Sequence, residues 1–162
     1  MIIGVTGDTH NNLKNIETIC NIFNENEASL VLHTGDISLP KSLLAFKRLN
    51  CPLITVLGNN DIEEEKDLRE AAKKFNCEVH NEPFTIEIAG KMLSLLHHPD
   101  LIDEDMISNN DFILHGHTHR YRLERKKNCI IFNPGECAGF MKGKNKIGLI
   151  DSEKPSPLII NF

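Results

Sequence analysis

Five short polar clusters, each close behind an apolar run, constrain the fold of this chain more than any other feature. They are Asp8-Thr9-His10, Gly35-Asp36, Gly58-Asn59-Asn60-Asp61, His97-His98 and Gly116-His117-Thr118-His119, and they follow IIGV, LVLH, LITVL, MLSLL and FIL. Short uninterrupted apolar runs bounded by polar turns read as strands buried on both faces. Five strands thus deliver Asp, Asn and His side chains from their C-terminal ends, where open α/β sheets place their ligands.

The stretches between the clusters supply the helices. Residues 2–6 read as a strand and 12–25 as a helix, with apolar positions at 13, 16, 19, 20 and 23. Strand 29–34, helix 40–49, strand 53–57 and helix 62–75 continue an alternation that implies a parallel sheet with crossover helices. From about residue 83 the texture becomes mostly β. Segments 83–89 and 91–97 flank Ala89-Gly90 as a hairpin, a short helix occupies 100–107, and 111–115 is a buried strand. Segments 120–125 and 128–133 flank a Lys126-Lys127 turn, and 145–151 and 157–161 close the chain as strands. Two sheets packed face to face with helices outside accommodate both textures, in one domain over residues 1–162.

The residue types in the clusters point to metal chemistry. Asp8 and His10 are one residue apart, so an extended segment would aim both the same way, and the same holds for His117 and His119 behind Gly116. Asp36 can bridge two cations, because a carboxylate has two oxygens and about four lone-pair sites. Asn59 adds a neutral oxygen where another carboxylate would overcharge the site. His97 or His98 completes a set of seven ligands. Hard oxygens mixed with imidazoles suit a pair of divalent first-row metals. Two such ions about 3.5–4 Å apart would hold a bridging hydroxide and polarise a phosphoester. No Ser/His/Asp or Cys/His arrangement, P-loop or GxGxxG fingerprint competes with that reading.

Composition removes other classes. A formal charge of −5 gives no general attraction to nucleic acid. The longest apolar runs fall far short of the roughly 20 residues of a membrane span. The start MIIGVTGDTH lacks the basic region of a signal peptide, so a cytoplasmic protein is expected. Five cysteines, odd in number and without CxxC spacing, read as reduced thiols.

The order DxH, GD, GNxD, H, GHxH resembles the calcineurin-like metallophosphoesterase superfamily, and within it the small bacterial and archaeal phosphodiesterase branch. Asn133-Pro134-Gly135 followed by Glu136 is similar to the NPG turn of that branch. The resemblance implies a four-layer α/β/β/α sandwich of two mixed sheets. It implies that Asp8, His10, Asp36 and His119 hold one metal and that Asp36, Asn59, His97 and His117 hold the other. The metals it implies are manganese foremost, with nickel, iron or zinc as alternatives. The activity it implies is hydrolysis of a small phosphodiester by a metal-bridging hydroxide attacking in line. A phosphomonoesterase, a nuclease, and a noncatalytic protein-binding scaffold like the retromer subunit of this fold are the competing readings. A homo-oligomer is compatible with all of them.

Two departures from the family pattern bear on catalysis. Asn60 stands where many members have a His that helps the leaving oxygen. An amide can donate a hydrogen bond there but cannot act as a general acid near pH 7, so leaving groups of low pKa, such as aryl esters, are expected to be preferred. Asn60 and its neighbour Asp61 remain the catalytic candidates outside the metal set. The other departure is His97-His98-Pro99, where relatives read HGH. Adjacent strand residues face opposite sides, so one of the two imidazoles is expected at the metals. The resemblance favours His97, leaving His98 to line the cleft or sit in solvent.

The remaining polar residues have structural readings. His33, His80 and His115 lack motif partners. Arg120, Arg122, Arg125, Lys126 and Lys127 read as a solvated sheet edge, with Arg120 the best placed to meet a phosphate. Glu63 to Asp67 suit the first turn of a helix. Gly135 and Gly139 suit turns.

Overall fold

A computed structural model describes residues 1–154 and 156–162. Eleven strands and four α-helices alternate as β1 (Ile2–Thr6), α1 (Leu13–Glu25), β2 (Leu30–His33), α2 (Pro40–Ala45), β3 (Leu53–Val56), α3 (Glu65–Ala72), β4 (Cys77–His80), β5 (Phe84–Ile88), β6 (Lys91–Leu95), α4 (Glu104–Asn109), β7 (Phe112–Leu114), β8 (Arg122–Lys126), β9 (Cys129–Asn133), β10 (Lys146–Asp151) and β11 (Leu158–Asn161). The first sheet runs β11-β10-β1-β2-β3-β4 and the second β5-β6-β7-β9-β8. Both are mixed. Strands β1 to β4 are parallel, as are β6, β7 and β9, and antiparallel strands flank each parallel centre.

Side-chain alternation sorts the strands into layers. Ile3, Val5, Leu32, Val56, Leu95, Leu114 and Phe132 share the core between the sheets. On the outer face of the first sheet, Val31, Leu53 and Ile147 pack against Ile16, Ile19 and Phe23 of α1, Leu43 of α2 and Leu68 of α3. On the outer face of the second, Ile113 and Ile131 meet Ile107 of α4. The result is the expected α/β/β/α sandwich, with both parallel centres presenting their C-terminal ends along one edge.

Several expected elements are trimmed or recast. Helix 40–49 stops at Ala45 and continues as a 3₁₀ turn at Phe46–Arg48. Helix 62–75 opens as a 3₁₀ turn at Ile62–Glu64 and is α-helical only over Glu65–Ala72. Helix 100–107 moves to Glu104–Asn109, because the Asp103 side chain caps it by accepting from the Met106 amide at 2.7 Å. The Lys126-Lys127 turn shifts by one, with Lys126 the last residue of β8 and Lys127 in a left-handed conformation. Strand β4 is not among the expected elements. Its sequence, CEVH, is short and half-exposed, and it exists because the edge of β3 offers it a partner.

Candidate metal centre

Every polar cluster lies at the C-terminal end of a strand in a parallel centre: Asp8 and His10 after β1, Asp36 after β2, Asn59 to Asp61 after β3, His97 after β6, His117 and His119 after β7. The expectation that Asp8-x-His10 and His117-x-His119 converge from extended backbone is not met. All four residues have left-handed φ angles of 49°, 45°, 69° and 54°, and Asp36 follows at 61°. Such conformations cost non-glycine residues about 1–3 kcal/mol each and persist where surrounding contacts fix them. Here the contacts are visible. The Asp8 amide donates to Gly35 O and the His10 amide to Asp36 O, both at 2.9 Å. The His117 amide donates to both oxygens of Asp8, at 3.1 and 3.0 Å. A Cβ at Gly58 would collide with the Asp36 carboxylate, so that approach requires glycine.

The seven expected ligands converge in two sets that meet at Asp36. In the first, His10 Nε2 and His119 Nε2 are 3.4 Å apart, with Asp8 Oδ1 3.7 Å from His119 Nε2. In the second, His97 Nε2 lies 3.0 Å from Asn59 Oδ1 and 3.2 Å from His117 Nδ1. Asp36 Oδ2 is 3.8 Å from His10 Nε2 and 3.5 Å from His97 Nε2, between the two sets. His97 is buried and donates from Nδ1 to Thr34 O at 2.9 Å, which leaves Nε2 unprotonated. That lone pair faces an amide oxygen and a carboxylate oxygen, neither of which can donate to it. A cation satisfies all three groups, so the donor set fits divalent metal ions.

Electrostatics agree. Burial, only partly offset by the His117 amide, and repulsion from Asp36, Asp61 and Glu136 push Asp8 up to about 8. Asp36 is also pushed up by burial, but His97, two hydrogen bonds from Asn60, and His10 outweigh that and leave it below the usual carboxylate range. Burial lowers His97 and His119, which keeps their ligating lone pairs free.

Asn60 and Asp61 are both engaged with this carboxylate loop. Asn60 donates to Asp36 twice, from its amide to Oδ1 at 2.9 Å and from Nδ2 to Oδ2 at 2.7 Å. Asp61 is buried and accepts from the amides of Asp36, Gly58 and Ser38 at 2.8, 2.8 and 2.6 Å. His33 sits beneath both ligand loops, accepting from the Gly35 amide at 3.1 Å and bonding Thr9 Oγ1 at 2.9 Å. Full burial drives its pKa down to about 3. His115 is likewise buried, held down to about 4, and bonded to Gly116 O at 3.0 Å. His80 pairs with Glu78 at 2.9 Å and stacks on Phe84. The NPG turn secures the last cluster, because Asn133 donates to Gly116 O and Thr118 Oγ1 and accepts from the Gly135 amide. On β8, Arg122 and Lys126 pair with Glu124; in the turn that follows, Lys127 pairs with Glu104, whereas Arg120 is exposed beside His119.

Three further contributors were not named as site residues from the sequence. Ser38 Oγ lies 3.2 Å from His10 Nδ1. Glu136, buried, accepts from the amides of Phe140 and Met141 and so holds Phe140 against the rings of His10 and His119, at centroid distances of 5.4 and 5.6 Å. Glu82 binds the His97-His98 segment from fifteen residues upstream, through His97 N at 2.6 Å and His98 N at 2.9 Å. Of the three, only Glu136 belonged to a noted motif, the one that follows Asn133-Pro134-Gly135.

The fold and this donor set define a metal-dependent phosphoester hydrolase. The sequence profile for the calcineurin-like phosphoesterase superfamily domain matches residues 1–154, and the chain belongs to that family. It is 35% identical over 158 residues to Phosphodiesterase MJ0936 of Methanocaldococcus jannaschii, covering 95% of each protein. Among solved structures it superposes on a novel archaeal phosphodiesterase with a TM-score of 0.92 at 32% identity, covering 100% of both chains. It also shares its fold with YfcE, a phosphoesterase from E. coli, at a TM-score of 0.74 and 21% identity over 94% of this chain and 90% of that one.

Proposed function

We propose that this chain is a phosphodiesterase for small substrates, working with two divalent cations of which manganese is the first candidate. The observation that carries the reading is Asp36, whose Oδ2 lies between the His10 and His97 nitrogens that head the two ligand sets. When bound, such a pair supplies Lewis-acid stabilisation of the phosphoryl oxygens and a water acidic enough to attack phosphorus in line near neutral pH. The similarity to a named phosphodiesterase along nearly the whole chain supports the diester over the monoester.

In this reading Asp8, His10 and His119 hold one cation and Asn59, His97 and His117 the other, with Asp36 shared. Asn60 fixes the shared carboxylate through two hydrogen bonds, and its amide offers no proton to a departing alkoxide. Asp61 is a positioning residue that ties the Asp36 loop to the Gly58 loop. A cleft of about 550 Å³ opens beside the centre, lined by His10, Ser38, Asn59, Asn60, Glu63 and Glu64. Two carboxylates on its wall repel a polyanionic strand, which favours a small diester over nucleic acid.

The test is hydrolysis of bis(4-nitrophenyl) phosphate and 4-nitrophenyl phosphate by metal-stripped protein titrated with manganese, nickel, zinc and magnesium. Metal-dependent turnover of the diester, faster than that of the monoester and abolished in Asp36→Asn, is the expected result. Absence of turnover in protein that binds both cations would overturn the enzyme reading in favour of a scaffold.

A further inference from the structure

Between the end of β6 and a 3₁₀ turn the chain sets a second imidazole, His98, beside the candidate metal centre. Strand β6 ends at Leu95, and His98 (φ −87°, ψ 117°) caps the 3₁₀ turn Pro99–Leu101. The rule that adjacent residues face opposite ways holds within a strand, not across this turn. The His97 and His98 rings therefore stand perpendicular, at 89° with centroids 4.8 Å apart, instead of on opposite faces. His98 also lies 4.6 Å, centroid to centroid, from His117. One nitrogen from each of His97, His98 and His117 falls within 4.8 Å of the other two.

Glu82 decides which nitrogen of His98 is available. Its Oε1 is 2.5 Å from His98 Nδ1, while its Oε2 accepts the amides of both His97 and His98. A carboxylate facing Nδ1 holds the proton there and leaves the lone pair on Nε2. This carboxylate–imidazole pairing is the outer support that metal-ligating histidines commonly have. Among the described residues Nε2 has no hydrogen-bond partner, and the His98 side chain is 30% exposed, which leaves the ring room to meet an ion.

We propose that His98 Nε2 is an additional ligand of the cation held by Asn59, His97 and His117, with Glu82 as its positioning residue. The inference rests on the two-cation reading above. It makes the centre asymmetric. One cation has three imidazoles with an amide oxygen and a shared carboxylate, and the other has two imidazoles and two carboxylates. Imidazole-rich sets favour zinc, nickel and copper over manganese more strongly than carboxylate-rich sets do. The second position is therefore the tighter one for late first-row ions.

The experiment is a cobalt(II) titration of the metal-stripped full chain, followed by calorimetry and by visible absorption, for wild type, His98→Gln and Glu82→Gln. Circular dichroism of the metal-free proteins reports folding. In His98→Gln, the tighter binding step is expected to weaken at least about tenfold, with a changed d–d spectrum and the weaker step unmoved. Glu82→Gln should weaken the same step by less. Wild-type affinities and spectra in both variants would overturn the proposal and leave His98 a cleft residue. Loss of only a third, weaker cobalt equivalent would also overturn it. A wild type that binds a single cobalt would instead overturn the two-cation reading. If that one step still weakens in His98→Gln, the ligand assignment stands.

Discussion

The two donor sets of the candidate metal centre are built differently. Asp8, His10 and His119 all sit in left-handed backbone, and the half they form includes a buried carboxylate pushed up to about 8. In the other half only His117 is left-handed, and Asn59, His97 and His117 bring no carboxylate of their own. Without ions, the first half stores both backbone strain and electrostatic repulsion, and the second stores mainly unsatisfied lone pairs. A cation therefore relieves different costs on the two sides: like-charge repulsion in one, orphaned acceptors in the other.

The largest expected effect removes the element that the halves share. Asp36→Asn should lower diester turnover by at least about a hundredfold and reduce bound metal, read by kinetics and elemental analysis. If only one ion is lost, the more weakly held half depends on Asp36 more than the other does.

The proton on Asp8 separates the halves by pH. A cation entering the first half displaces that proton, so below pH 8 its affinity should rise about tenfold per pH unit. Affinity of the second half should change much less between pH 7 and 8, because burial already keeps His97 neutral. Calorimetric titrations at pH 6, 7 and 8 read both steps, and parallel slopes would break the distinction. Stability follows the same linkage. Asp8 is raised in the folded state, so between its unfolded value near 4 and about 8 the native metal-free protein holds the extra proton and loses stability as pH rises. His33 is depressed to about 3, so its contribution runs the other way and is lost as pH falls from about 6.5 toward 3. Added metal should therefore raise the melting temperature more at pH 8 than at pH 6.

Asn60→His sharpens the view of the shared carboxylate from the substrate side. An imidazole there should raise turnover of alkyl diesters relative to aryl diesters by about a hundredfold, the lower end of what a general acid contributes. An unchanged ratio would mean that departure of the leaving group does not limit turnover. The smallest effect is expected at Arg120, beside the first half. Arg120→Ala should change kcat/KM by less than about threefold, as suits an exposed edge residue, and a larger rise in KM would make it a phosphate contact.

Much of the fold was legible because its strands are apolar and its clusters terminate them. Strand β4 was not, since CEVH is neither long nor fully buried and takes its identity from the neighbouring β3. The seven candidate ligands could be singled out from residue type and order, with His97 chosen over His98 by the family resemblance. Their convergence could not, because the i, i+2 argument assumed extended backbone where Asp8, His10, His117 and His119 turn left-handed under tertiary hydrogen bonds. Glu82 was invisible for a related reason. A lone glutamate before a proline acquires meaning only when folding brings it to the end of β6.

His33 carries one more consequence. Burial keeps it neutral, and because its Nδ1 accepts from the loop that bears Asp36, its Nε2 donates to the threonine between Asp8 and His10. Two turns from different strands are thereby riveted together. A change at His33 would therefore loosen both donor loops at once, although His33 itself stands outside the donor set.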